Sequence, residues 1–243
     1  DEVKADGFHL VDDFSDLFGM NAAGTDAKMR NTKESILEAQ FTSGAGNWCT
    51  WMFGRDLVNW NNNFTWAKWV TPSRDLISAF KQEGDEVRFK ESIVYYDCNW
   101  SNYYPSDNYP FMYKCRSANS SIIKYRYADV LLLKAEALIM QDTPDLEGAA
   151  DIIDKVRDRA KLGALPTSVR SNKNVLLNAL LKERRLELAF EGQRWFDLVR
   201  LDKVEEVMNA VYSKDSGRKA QIYTFDKNSY RLPIPVSYTH LTL

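Results

Sequence analysis

Trp48, Trp51, Trp60, Asn61, Asn62, Trp66, Trp100, Tyr103 and Tyr104 crowd into one stretch of this 243-residue chain. Seventeen aromatic residues fall between positions 48 and 113, among them six of the seven tryptophans, with asparagines interleaved. Flat rings can stack on the apolar C–H faces of a sugar, and amides can satisfy its rim of hydroxyls. Large rings are also core residues. Any single ring is therefore expected to be core, Trp69 above all, while the set is expected to turn at least one or two rings toward a ligand. Full burial of the rings would fit a protein–protein scaffold instead. An enzyme acting on polysaccharide would need two opposed carboxylates across a cleft, ~5 to 9.5 Å apart.

The other residues with chemical potential read as structural. Glu183 and Glu187 sit one helical turn apart beside Arg184 and Arg185. On a common face next to cations they are expected to hold lowered pKa values and to fix packing, not to act as an acid–base pair. The two histidines, His9 and His240, are isolated near the ends, and neither an HExxH motif nor a GxSxG elbow occurs. GAGNW at 44–48 is too short for a phosphate-binding loop. Asp97 and Asp107 lack the spacing of a calcium loop and read as solvated. No cofactor or metal site is read from the pattern. Cys49, Cys98 and Cys115 form no CxxC pair; free buried thiols are expected in preference to a Cys98–Cys115 disulfide.

These residues must be positioned by helices. Thr71 reads as an N-cap with Pro72 opening a helix over 72–83 that Gly84 ends. From Ser121 onward the pattern is helical. Ala128, Leu131, Leu132, Ala135, Leu138 and Ile139 make one apolar face. Thr143 and Pro144 start a second helix, faced by Leu146, Ala149, Ala150, Ile153 and Ala160, and Gly163 stops it. The short link predicts an antiparallel pair, a tetratricopeptide-like helical hairpin. A third helix is expected from Asn174 to Phe190 and a fourth from Arg194 to Asn209, with Trp195 in the core at a truncation cost of ~3–5 kcal/mol. Phe14, Leu17 and Phe18 suit a short helical face. SILEAQF at 35–41 fits a strand or a helix, and the stretch from Ile222 through YRLPIP is expected to be extended. The fold class is mainly α, with tetratricopeptide-like hairpins (an α-α superhelix) and a long irregular aromatic-rich loop region. Residues 1–120 form the loop-rich part and 121–235 the helical part.

Composition narrows the partners. Thirty-two Lys and Arg face 34 Asp and Glu, for a net charge of −2, which leaves no electrostatic footprint for a nucleic-acid backbone. No run approaches the ~18 apolar residues of a membrane span. No signal peptide is visible at Asp1, as expected for a processed chain or an internal fragment.

IIKYRYADVLLLKAEAL, AADIIDKVRDRAKL and LLKERRLELAFEGQRWFDLVR resemble the C-terminal half of SusD/RagB-family proteins. PSRDLISAF…GDEVRFKESI, YRLPIP and NTKESILEAQF follow the same order, so the resemblance covers about 31–235. It implies a non-catalytic, glycan-binding lipoprotein on the outer face of a Gram-negative outer membrane. Such a protein delivers nutrient to a SusC-like TonB-dependent transporter and touches the membrane only through a lipid anchor absent from this chain. The family is about twice this length, so an N-terminal half carrying signal and anchor is expected to be missing. The tail 236–243, VSYTHLTL, does not match the family and is expected to be foreign to the gene. Trp60→Ala or Trp66→Ala is expected to weaken glycan affinity by about 1–3 kcal/mol without unfolding the chain. Normal binding with lowered melting temperature in both variants would make these rings core.

Overall fold

The periodic apolar face expected over 128–139 is buried in a hydrophobic core cluster. In the computed structural model, residues 2–42, 45–49, 71–98, 103–214 and 224–231 are described. Trp51, Trp60, Asn61, Asn62, Trp66, Trp69, Trp100, most of YRLPIP and the tail 236–243 lie outside them. The described chain is mainly helical, with helical hairpins of tetratricopeptide type. It falls into two compact units, one through Gly192 and one from Gln193.

In the first unit, short helices α1 (Glu2–Ala5) and α2 (Ser15–Phe18) precede strand β1 (Ser35–Ala39). Phe14, Leu17 and Phe18 are buried, as their spacing predicts, and they cluster with Val11 and Ile123. Helices α3 (Arg74–Glu83) and α4 (Glu86–Ser92) lead into β2 (Ile93–Tyr96), which pairs antiparallel with β3 (Tyr109–Met112). Strand β4 (Ile122–Arg126) pairs antiparallel with β1. The helical reading from Ser121 is thus too early by six residues. Ile122, Ile123 and Tyr125 are β-branched or aromatic, and the partner strand claims them. The β1–β4 register is irregular between Ser35 and Glu38, with Ser35 opposite Arg126 and Leu37 opposite Tyr125.

Helices α5 (Tyr127–Met140) and α6 (Leu146–Arg159) form the hairpin; α7 (Thr167–Arg170) and α8 (Lys173–Glu187) follow. A five-residue link turns α5 back on α6. Leu132, Ala135 and Ile139 meet Ala149, Ala150, Ile153 and Val156, with Leu176 and Leu180 of α8 closing the cluster. The alanines let the backbones approach closely, so the leucines and isoleucines fill the seam with almost no exposure.

Helix starts shift where a better cap lies nearby. Ser73, not Thr71, caps α3 by accepting from the Leu76 amide at 3.1 Å. Asp145, not Thr143, caps α6 by accepting from the Gly148 amide at 2.9 Å. The prolines read as first helical residues stand just outside. Gly84 ends α3 at φ 70°, as its freedom from a Cβ permits. All three cysteines are free, with Cys98 and Cys115 buried.

In the second unit the expected single helix is two, α9 (Arg194–Arg200) and α10 (Val204–Lys214). Asp202 breaks it at φ 56°; aspartate tolerates the left-handed region, and its carboxylate accepts from the Tyr230 hydroxyl at 2.7 Å. Lys227–Tyr230 is a 3₁₀ turn where extended chain is expected. Trp195 is half-buried, its centroid 6.5 Å from that of Phe225. The buried positions of α9 are Asp197 and Leu198, so Trp195 is not the full core residue expected.

Leu132→Ala empties a fully buried site at the hairpin seam. Urea denaturation should show a loss of about 2–5 kcal/mol; a loss below 1 kcal/mol would mean that the seam collapses to fill the space.

Candidate functional site

The first turn of α3 and the segment before β3 build an aromatic cleft. Arg74 places its guanidinium carbon 4.1 Å from the Tyr103 ring centroid and 4.5 Å from that of Tyr104. It also donates to the Tyr103 carbonyl. The two tyrosines meet edge to face at 4.9 Å and 88°. Tyr104 then meets Tyr109 at 5.5 Å and 79°, and its hydroxyl donates to the Pro72 carbonyl at 2.6 Å. A cation stacked on two rings that are themselves packed edge to face is a rigid arrangement.

Beside it lies a cleft of about 390 Å³ lined by Arg74, Ile77, Ser78, Lys81, Tyr95, Tyr104, Pro105 and Asn108. That volume suits one or two sugar rings. The lining pairs aromatic rings with a hydroxyl, an amide and two cations. Burial raises the Tyr95 phenol above its usual pKa, so it stays protonated and can donate.

Of the residues read from sequence as candidates, the structure brings Tyr104 to this cleft and packs Tyr103 edge to face against it. Trp48 is 70% exposed on a segment fastened elsewhere. The neighbouring Asn47 donates its amide to the Ser117, Ala118 and Ser120 carbonyls at 2.8–3.2 Å. Arg74, Lys81, Tyr95 and Asn108 were not singled out. One signal was available: Arg74, Ile77, Ser78 and Lys81 recur at i, i+3, i+4 and i+7, which is one face of α3.

Glu183 and Glu187 lie in a buried ionic cluster, 2% and 0% exposed. Three guanidiniums converge on the Glu187 carboxylate: Arg88 at 3.0 Å, Arg126 and Arg159. Arg88 also binds Glu183 and Asp85, both at 2.5 Å. Arg126 and Arg159 reach Glu34 at 2.7 and 2.8 Å. Glu191 takes Arg126 at 2.7 Å and Lys114 at 2.6 Å. The expected pairing within the helix is replaced by pairing across the fold: Arg184 reaches Asp129 and Arg185 reaches Asp75.

The titration behaviour follows from burial against charge. Burial pushes Glu187 up, but Arg159, Arg126 and Arg88 together hold it well below the usual carboxylate range. For Glu183 burial outweighs Arg88, and its pKa is raised, against the lowered value expected. Burial draws the Lys114 ammonium down to about 8 against the pull of Glu191. Carboxylates sealed from solvent and held by guanidiniums are structural. Among the described residues there is no group of three or more His, Cys, Asp or Glu placed to hold a metal ion. Nor is any helix there long and apolar enough to cross a membrane.

Residues 107–240 match the model of the SusD family. A SusD-like protein, P38, of Formosa agariphila is 43% identical over 99 residues, which are 38% of this chain and 19% of that protein. Two solved structures share the fold. A laminarin-binding SusD-like protein is 24% identical with a TM-score of 0.64, over 97% of this chain and 52% of that one. Surface glycan-binding protein A from Bacteroides thetaiotaomicron, in complex with laminarihexaose, is 18% identical with a TM-score of 0.69, over 99% of this chain and 56% of that one. The chain thus spans about half the length of these solved relatives, and its match spans about a fifth of the curated one.

Glu187→Gln keeps the shape and removes the charge that three guanidiniums share. A loss of about 3–5 kcal/mol is expected in urea denaturation. Glu187 and Glu191 titrate low in the folded state. The stability they contribute is therefore present above the ordinary Glu value of about 4.3 and lost as pH falls through their lowered folded values. Asp85 and Glu183, raised by burial, act in the opposite sense. The variant should flatten the acid limb of the stability profile; an unchanged limb would place the acid sensitivity elsewhere.

Proposed function

The chain belongs to the SusD family, and on that premise we propose that it is a non-catalytic glycan-binding protein of the cell surface. The observation that carries this reading is the cleft beside α3. Tyr95 and Tyr104 line it with aromatic rings, and Ser78 and Asn108 offer partners for sugar hydroxyls. Stacking with peripheral hydrogen bonds holds a saccharide without polarising any of its bonds. The tryptophans at 48, 51, 60, 66 and 100, with Asn61 and Asn62, belong to the same proposal as further binding residues. The glycan binders of like fold support it.

The family further suggests a setting: an outward-facing lipoprotein of the outer membrane that hands its ligand to a SusC-like TonB-dependent transporter. One feature supports a protein contact on the helical side. Leu133 and Met140, seven residues apart on α5, are 41% and 51% exposed. With Val130 and Ala137 they form an i, i+3, i+7, i+10 stripe. We place the transporter contact there, which makes the scaffold reading a complement of glycan binding.

Native affinity electrophoresis against a polysaccharide panel, with the same mixtures assayed for released sugar, tests the reading. Retardation by at least one polysaccharide without product is expected. Asn108→Ala should weaken it by about 1 kcal/mol, with the melting temperature unchanged. Product release would make the protein an enzyme. Absence of retardation across the panel with the folded full chain would favour the scaffold alone.

A further inference from the structure

A second cavity, of about 390 Å³, lies where the N-terminal segment meets the α5–α6 hairpin. Phe8, Leu10, Leu131 and Ile152 give it an apolar lining, and the last three belong to the packing of the hairpin core. The segment is fastened to the strand β1 side. The His9 amide donates to the Lys33 carbonyl at 3.0 Å, and the Val11 amide donates to the Glu34 carboxylate at 2.9 Å. Lys4 and Lys155 line the same cavity. Both are exposed, and neither ammonium makes an ion pair or hydrogen bond among the described residues. The Tyr127 hydroxyl, on another lining residue, is likewise without a hydrogen bond among them. No carboxylate occurs among the described lining residues. Acids of the hairpin are engaged elsewhere: Asp129 pairs with Arg184 at 2.8 Å, and Asp151 and Asp154 pair with Arg170 at 2.5 Å. Glu2, Asp6 and Asp158 stand outside the lining.

We infer that this cavity binds a single-chain anionic amphiphile, an aliphatic chain with an anionic head. The chain covers Phe8, Leu10, Leu131 and Ile152, which a hydroxylated sugar would leave poorly matched. The head meets Lys4 and Lys155, whose charges no protein acid cancels, and accepts from the Tyr127 hydroxyl. A neutral apolar ligand would use the floor and none of these three groups. The site is walled by three elements, the N-terminal segment, α5 and α6, so it suits one chain better than a flat lipid surface. It shares no residue with the α3 cleft, and the inference stands apart from the glycan reading.

Isothermal titration of the full chain with octanoate tests this. Octanol keeps the chain without the charge, butyrate keeps the charge without the chain, and phosphatidylglycerol vesicles stand for a lipid surface. Saturable binding of octanoate is expected, stronger than that of octanol or butyrate and weakening as salt rises. Lys4→Gln combined with Lys155→Gln should raise the octanoate Kd about fivefold and leave octanol binding and the melting temperature unchanged. Lys124→Gln, a loss of charge on β4 outside this cavity, should leave the octanoate Kd intact. Absence of octanoate binding at millimolar concentration overturns the inference. Equal binding of octanol overturns the anionic head. An unchanged Kd in the double variant, or an equal rise in Lys124→Gln, overturns this cavity as the site. Binding to the vesicles without binding of octanoate overturns the single chain in favour of a lipid surface. Each of these failures leaves retardation by polysaccharide, and the glycan reading with it, as it was.

Discussion

The end of α8 is the constraint on which the first unit depends. At Glu187 the helix stops, and its last carbonyl has no helical partner. That carbonyl accepts from Arg126 at 2.7 Å and from Lys114 at 2.9 Å, while the side chain of the same residue collects Arg88, Arg126 and Arg159. Cations at a helix C-terminus also meet its dipole favourably. One residue therefore gathers α4, β4 and α6 around the end of α8. Phe190 and Gly192 then take left-handed conformations, at φ 66° and 83°, and between them Glu191 takes up Arg126 and Lys114. The helix ends three residues before the Phe190 that periodicity suggests, because the cations claim its last carbonyl.

Burying so many charges is costly unless each is matched. Here the matching is specific in position, so the cluster defines register more than it adds net stability. Glu34 shows this. It stands at the entry to β1, its backbone carbonyl accepts from the Tyr127 amide at 2.9 Å, and its carboxylate spans Arg126 and Arg159. A one-residue slip of β1 against β4 would strand that carboxylate in the interior. The aliphatic seam of α5, α6 and α8 tolerates small shifts; the ionic cluster does not. The two together give a core whose depth comes from leucine and alanine and whose alignment comes from arginine and glutamate.

Much of the helical half was legible from its sequence. The α5 and α6 faces are periodic, and Ala128, Leu132, Ala135, Ile139, Ala149, Ala150 and Ile153 are all fully buried. Boundaries were less legible, since Ser73 and Asp145 cap better than the threonines before them and periodicity does not weigh one cap against another. Residues 122–126 became strand because their partner lies some ninety positions earlier, and pairing at that distance leaves no local mark. The charges of ERRLELAFEGQRWFDLVR were visible as a cluster, yet their partners at Arg88, Arg126 and Arg159 lie 28 to 99 positions away along the chain. That remoteness also explains Glu183: its depth in the core, which raises its pKa, is a tertiary property.

The cleft follows the same logic. Tyr103 and Tyr104 could be picked out as rings, but what they stack on could not, because Arg74 lies about thirty residues away on a helix that reads as merely amphipathic. The geometry connects the two levels. Asp85 caps α4 through the Arg88 amide and binds the Arg88 side chain with its other oxygen. The cluster thereby fixes α4, which runs directly into β2 and so places Tyr95. Through Phe80, Phe89 and Tyr95, whose rings follow one another at 5.7 and 6.4 Å, α3 is seated against the same assembly. On the glycan reading proposed above, such a cleft gains from walls that lose no entropy on binding. The charge buried at Glu187 and the rings that line the cleft are in this sense one construction: the first immobilises the backbone on which the second depends.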